Sequence, residues 1–189
     1  MCGRYSLKNS GRVKEIYNLD LKPKYNIAPS QKILTVTDKP QMMKWSYSPS
    51  WAKKPMNLFN ARSETLNEKP SFREAKRCVI VADGWYEWKK EAESKTPYYH
   101  HLNGEVFHFA GLYNPDGCLI VTKEACLELF HIHGRMPVLV GDSEIGDWLG
   151  GKDLFASPLS NLIHTYPVSK HVNNPRNDDE NCCMEMTSP

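Results

Sequence analysis

Residues Cys78-Val79-Ile80-Val81-Ala82 form a continuous apolar run closed by Arg77 before and Asp83 after. A run of this kind, rich in β-branched side chains, predicts a strand buried on both faces. Shorter apolar or alternating stretches at 85–89, 97–102, 106–113, 118–122 and 137–140 predict further strands. Residues 33–37 and 42–47 predict a pair separated by Asp38-Lys39-Pro40. Asn103-Gly104 and Asn114-Pro115-Asp116-Gly117 are hairpin turn signals between such strands. Helical spacing is sparse. Val13, Ile16 and Tyr17 share one side of a short helix over 11–19, and 142–149 reads as another. Ser71, with Glu74 at the capping-box position, predicts a helix through Arg77. Tyr25-Asn26-Ile27-Ala28-Pro29 reads as an extended, proline-stiffened loop. From Asn173 the chain turns polar and is expected to fray. Strands in hairpin order with few helices give an α+β class, mostly antiparallel, with a barrel-like core and short peripheral helices.

Composition narrows the class. With 189 residues, 40% hydrophobic and 24% charged, the chain has the make-up of one soluble domain, expected over 1–175 with a polar tail over 176–189. No apolar run reaches the length of a membrane span, and the N-terminus has no apolar signal core, so a cytoplasmic protein is expected. The six cysteines show no CxxC pair and no disulfide-framework spacing, which fits reduced thiols. The net charge of +2 hides a division. Residues 1–77 carry 16 Lys/Arg against 6 Asp/Glu, a net +10, and residues 78–189 carry 8 against 16, a net −8. A strongly basic half suggests a polyanionic partner.

The basic half begins Met1-Cys2-Gly3-Arg4. Cysteine is small enough for Met1 to be excised, which leaves an α-amine and a thiol on one residue. Their ordinary pKa values are about 8 and 8.5, so each has a nucleophilic fraction near neutrality. The pair can condense with an aldehyde to an imine that the thiol closes into a five-membered thiazolidine. Four other segments carry candidate chemistry. Asn60-Ala61-Arg62-Ser63-Glu64 offers an amide and a guanidinium suited to phosphate. Asp83-Gly84-Trp85-Tyr86-Glu87-Trp88 sets a carboxylate among indoles, where desolvation raises its pKa toward general-acid range. His131-Ile132-His133-Gly134-Arg135 suits proton transfer beside a phosphate contact; with no third ligand at a suitable spacing, no metal is expected there. Trp45-Ser46-Tyr47-Ser48-Pro49-Ser50-Trp51, followed by Lys53-Lys54, reads as a stacking platform for unpaired bases beside a phosphate track. No GxGxxG, P-loop, HExxH or GxSxG motif is present, and no cofactor is expected.

Met-Cys-Gly-Arg-Tyr, Asn-Ile-Ala-Pro, Trp-x-Tyr-x-Pro-x-Trp, Asn-Ala-Arg-Ser-Glu-Thr, Asp-Gly-Trp-Tyr-Glu-Trp, His-Gly-Arg-Met-Pro and Pro-Val-Ser occur in that order. The set resembles the SOS response-associated peptidase (SRAP) family of abasic-site-processing proteins, from Cys2 to about Asn174. The resemblance implies a barrel-like α+β fold and a protein that crosslinks itself to abasic sites in single-stranded DNA. On matching positions it implies Cys2 as nucleophile, Asn60 as abasic-site contact, Glu87 and His133 as assistants to the crosslink, and Arg4, Arg62 and Arg135 as phosphate contacts. Trp51 and Trp88 would stack unpaired bases, with Pro29 wedging against one. The family label also implies a peptidase action in which Cys2 assists removal of its own Met1 or release from a crosslink. A monomer is expected. Ser46 departs from the pattern, where Gly is more usual. The alternative is an N-terminal-nucleophile hydrolase of the glutamine amidotransferase kind, which also begins Met-Cys-Gly but needs a glutamine-binding segment that is not recognisable here.

Overall fold

The computed structural model describes residues 2–186. In chain order its elements are β1 (Tyr5–Leu7), α1 (Ser10–Tyr17), β2 (Lys24–Ile27), β3 (Lys32–Val36), β4 (Pro40–Lys44), β5 (Asn60–Arg62), β6 (Lys76–Ala82), β7 (Gly84–Lys90) and β8 (Lys95–His101). There follow β9 (Phe107–Asn114), β10 (Gly117–Glu124), α2 (Leu127–Phe130), β11 (Arg135–Pro137), β12 (Leu139–Val140), α3 (Ile145–Leu149) and β13 (His164–Pro167). The class is as expected: mostly antiparallel strands with few helices. Barrel-like closure is not. One sheet runs β13-β8-β7-β1-β2 and the other β11-β10-β9-β6-β3-β4, with β12 on β9 and β5 on β10, and neither path returns to its start.

The two sheets are held face to face by one core cluster that includes Tyr5 and Trp85 from the first sheet and Ile80, Phe109 and Ile120 from the second. The Tyr5 ring meets Trp45 and Phe109 edge-on at 5.3 and 5.7 Å between centroids. Val79, Leu119, Val121 and Trp148 form a second cluster on the far side of the larger sheet. Tyr86, Tyr99, Val172 and Cys182 form a third on the far side of the smaller one. β6 therefore has apolar neighbours on both faces, which is why its sequence does not alternate.

Local rules hold where nothing competes. Asn18, in the left-handed conformation at φ 54°, ends α1 by returning its N–H to the Lys14 carbonyl. The Asn114–Gly117 turn joins β9 to β10 as a hairpin. Asn103 and Gly104 do take positive φ, 51° and 79°, but the turn passes the chain from the smaller sheet to the larger instead of closing a hairpin. The helix expected from Ser71 is replaced by a 3-10 turn at Pro70–Phe72, after which Lys76 and Arg77 join β6 opposite Tyr113 and Leu112. Two capping hydrogen bonds are outweighed by the register of a seven-residue strand pairing. The segment 25–27, expected as a loop, is strand β2. The polar segment beyond Asn173 does not fray through residue 183. Asp178 accepts from the backbone N–H groups of Tyr25 and Asn26 at 2.7 and 3.1 Å, and Cys182 is fully buried. No helix among the described residues is long and apolar enough to cross a membrane, and all six cysteines are free thiols.

Candidate functional site

Cys2 owes its position to β1, the inner strand between β2 and β7. Tyr5 pairs with Trp85 and Ser6 with Gly84, and the Tyr86 N–H donates to the Arg4 carbonyl at 3.0 Å, so the same antiparallel register carries residues 2 and 3 alongside Glu87. A buried carboxylate locks this arrangement. Asp83 accepts from the Ser6 hydroxyl at 2.6 Å and from the backbone N–H groups of Lys8 and Asn9 at 2.6 and 2.7 Å. Gly84 is required there by space: a Cβ would lie 2.1 Å from the Tyr99 hydroxyl, which itself bonds Ser6 at 2.8 Å. From the larger sheet, β5 runs parallel to β10 with Asn60 opposite Ile120, and the Asn60 amide donates to the Cys2 carbonyl at 2.8 Å. His133 sits in the turn before β11, with its Nδ1 3.7 Å from the Glu87 carboxylate. Cys2, Asn60, Glu87 and His133 are thus brought together where the two sheets meet.

The electrostatics of the group favour neutral forms. Glu87 is 3% exposed, and burial pushes its pKa up from 4.5 to about 7. Burial, reinforced by the Glu87 charge, raises the Cys2 thiol well above its ordinary range. Burial lowers His133 below the usual histidine value, and its Nδ1 accepts from the Arg135 backbone N–H at 3.0 Å. Burial thus favours the protonated Glu87 carboxyl and the neutral His133 imidazole side by side, a pairing suited to general acid–base work.

The three arginines differ. Arg4 turns inward: it donates to Asn26 Oδ1 at 2.8 Å and to the Val172 carbonyl at 2.7 Å, and lies 5.8 Å from the Trp88 ring centroid. Arg135 forks onto Glu64 at 2.5 and 3.0 Å and donates to the Thr122 carbonyl at 2.7 Å; that partner holds Glu64 down at about 2. Arg62 is exposed and makes no ion pair among the described residues. The aromatic platform is smaller than its sequence suggests. Trp45 and Tyr47 are core, 0% and 1% exposed, leaving Trp51 at 58%. Trp88 is half-buried and donates its indole N–H to Asn173 at 2.7 Å, and Pro29 is half-buried in the β2–β3 turn.

Sequence reasoning missed Asn26, which is 1% exposed. Its Nδ2 faces the carbonyls of Val172, Asn174 and Asn177 at 3.1, 3.1 and 2.7 Å, while its Oδ1 receives Arg4. The Asn-Ile-Ala-Pro motif marked the residue but not the partner segment. A further group lies in that segment. One donor atom each of His171, Asp179 and Cys182 fall within 4.8 Å of one another.

The SOS response associated peptidase (SRAP) family profile matches residues 1–175. The Bacillus subtilis (strain 168) "Abasic site processing protein YoqW" is 36% identical over 94% of this chain and 96% of its own length. The Escherichia coli (strain K12) "Abasic site processing protein YedK" is 31% identical over 82% of this chain and 81% of its own. A crystal structure of a Bacteroides thetaiotaomicron protein superposes with a TM-score of 0.79 at 23% identity, covering 98% of this chain and 100% of that one, so the fold is shared. A match of this extent decides against the amidotransferase alternative: the chain belongs to the SOS response associated peptidase family.

Proposed function

We propose that this chain processes abasic sites in single-stranded DNA by covalent capture at Cys2. The observation that carries the reading is Glu87: a buried carboxyl titrating near pH 7, beside His133 and close enough for its charge to act on the Cys2 thiol. The names of the relatives supply the substrate.

With Met1 removed, the Cys2 α-amine adds to the open-chain aldehyde of the abasic deoxyribose and loses water to form an imine. The thiol then adds across the C=N bond. Sulfur bonds to the sugar carbon, the thiol proton passes to nitrogen, and a thiazolidine closes. A thiol held protonated by burial fits this order, because the amine reacts first and the thiol needs a base only for closure. Glu87 gives a proton during ring opening and dehydration, then accepts one from the thiol. His133 serves the sugar hydroxyl released on ring opening. Asn60 orients Cys2 through its carbonyl, and fixed geometry of this kind raises the effective concentration of the aldehyde at the amine. Closure removes the imine and so prevents β-elimination at the strand.

Arg62 takes a flanking phosphate, and Arg135 takes another by exchanging Glu64 for it. Arg4 fixes the chain behind Cys2 and adds its charge to the basic face. Trp51, Trp88 and Pro29 meet unpaired bases, which gives the preference for single strands. The protein acts as a monomer.

The test is incubation with an oligonucleotide carrying one abasic site, followed by boiling in denaturant. A covalent adduct is expected without reductant, stronger on single-stranded than on duplex DNA. A peptide fused ahead of Cys2 should abolish it, because an amide nitrogen does not condense with an aldehyde. Wild-type yields of boiling-resistant adduct from Cys2→Ala, without borohydride, would overturn the mechanism.

A further inference from the structure

The C-terminal segment behind Arg4 contains a second constellation that the abasic-site chemistry does not use. His171 lies in the 3-10 turn Lys170–Asn173, and Cys182 closes the turn Glu180–Cys182, for which Asp179 is the N-cap. The two turns pack together so that one donor atom of each residue lies within 4.8 Å of the others. His171 Nε2 is 2.9 Å from Asp179 Oδ2. The ring is steered from its other edge by the Asn177 amide, 3.1 Å from Nδ1, and that amide also donates to the His171 carbonyl at 2.8 Å. Cys182 is fully buried, yet its Sγ has no better partner than the Asn177 carbonyl at 3.5 Å.

We propose that His171, Asp179 and Cys182 form a binding site for a thiophilic divalent cation of the zinc class. Three arguments support the assignment. Imidazole, carboxylate and thiolate are the donor types zinc takes, at about 2.0–2.3 Å from the metal, so tetrahedral edges of roughly 3–4 Å follow. Atoms already within 4.8 Å reach those edges by small side-chain movements. The charges also balance: one thiolate, one carboxylate and one neutral imidazole sum to −2, and a divalent ion makes the site neutral, which suits its half-buried setting. Binding displaces the Cys182 thiol proton to solvent and replaces the His171–Asp179 hydrogen bond with two metal bonds, so uptake strengthens as pH rises. Three protein ligands leave the fourth position to water. Ligation through Nε2 moves the ring proton to Nδ1, so the Asn177 amide, whose nitrogen faces Nδ1 in the metal-free protein, turns its oxygen to accept that N–H.

The site has a place in the architecture. The residue after His171 is Val172, whose carbonyl receives both Arg4 and Asn26; the next, Asn173, receives the Trp88 indole. A cation tying residue 171 to residues 179 and 182 would stiffen the segment on which Arg4 and Trp88 rest. The proposal does not depend on the crosslinking reaction.

The experiment is titration of the reduced, metal-stripped full chain with Co2+, following the thiolate-to-cobalt charge-transfer band in the near ultraviolet and the tetrahedral d–d bands in the visible. One equivalent should develop both, and one equivalent of Zn2+ should bleach them. Cys182→Ser should abolish the charge-transfer band, whereas Cys183→Ser and Cys126→Ser should keep it. His171→Ala should weaken Co2+ binding about tenfold or more. If Cys182→Ser fails to fold, Asp179→Asn, at a half-exposed position, gives the same reading as loss of affinity. Absence of the band in wild type overturns the proposal, as does a band that survives Cys182→Ser or an affinity indifferent to His171→Ala and Asp179→Asn.

Discussion

Replacing Glu87 with glutamine should make the protein more stable and less active, and the stability change can be worked out from its titration. Burial raises the Glu87 pKa from 4.5 to about 7. Between those values the folded chain still holds a proton that the unfolded chain has released. Raising the pH across that window therefore favours the unfolded state. A tenfold change in proton affinity corresponds to about 1.4 kcal/mol, so ionising Glu87 in place costs about 3 kcal/mol above pH 7 and nothing below pH 4. Glutamine keeps the shape and has no proton to lose. Denaturant unfolding of wild type and Glu87→Gln should give a stability difference that grows in the variant's favour by about 3 kcal/mol from pH 4.5 to 7.5, then stays level. His133 titrates in both proteins and largely cancels in the difference. Crosslinking to abasic DNA should slow about 10²–10⁴-fold in the same variant, the usual worth of a positioned acid–base group. A stability difference flat with pH would refute the buried-acid reasoning, and an unchanged crosslinking rate would return Glu87 to packing.

Glu64→Gln frees the Arg135 guanidinium from its carboxylate and should tighten single-stranded DNA binding, most clearly at low salt; unchanged affinity in filter binding would mean that Arg135 only supports the fold. Arg62→Ala should weaken binding and flatten the log–log salt dependence by about one unit, the signature of one lost phosphate contact. Asn26→Ala removes the amide shared by three carbonyls and should cost about 3 kcal/mol. Limited proteolysis should then cut first between residues 170 and 183, and protection equal to wild type there would show that Asn26 is not the clasp.

Much of the fold is legible in the sequence because its signals are local. β6 declares itself by an apolar run too continuous for a half-exposed strand, and Asn114–Gly117 by the φ values its turn demands. Cys2, Asn60, Glu87 and His133 are all nameable from sequence. Their convergence is not, because Asn60 and His133 arrive on a different sheet from Cys2 and Glu87. The misses share one cause. Ser71 and Glu74 have the spacing of a helix start, but Glu74 instead accepts from the Ser50 hydroxyl at 2.5 Å, and strand pairing claims the residues after it. Asn26 and Asp178 read as loop and tail because polar side chains look solvated in a sequence, yet here each binds backbone groups of the opposite segment. No local pattern reveals that Arg4 meets the Val172 carbonyl or that Arg135 meets Glu64.

The contact between Arg4 and the Val172 carbonyl spans 168 positions of the chain. β1 is an inner strand whose β7 neighbour is made some 80 residues after it, and the carbonyl that receives the Arg4 guanidinium is made later still. Until then Cys2 is carried on an unpaired strand without its carbonyl donor or its buried acid. On the proposed mechanism, an aldehyde met before then finds an amine and a thiol that lack Asn60 and Glu87 beside them. On the proposed mechanism, the order of synthesis thus delays assembly of the Cys2 site until the segment around Val172 docks.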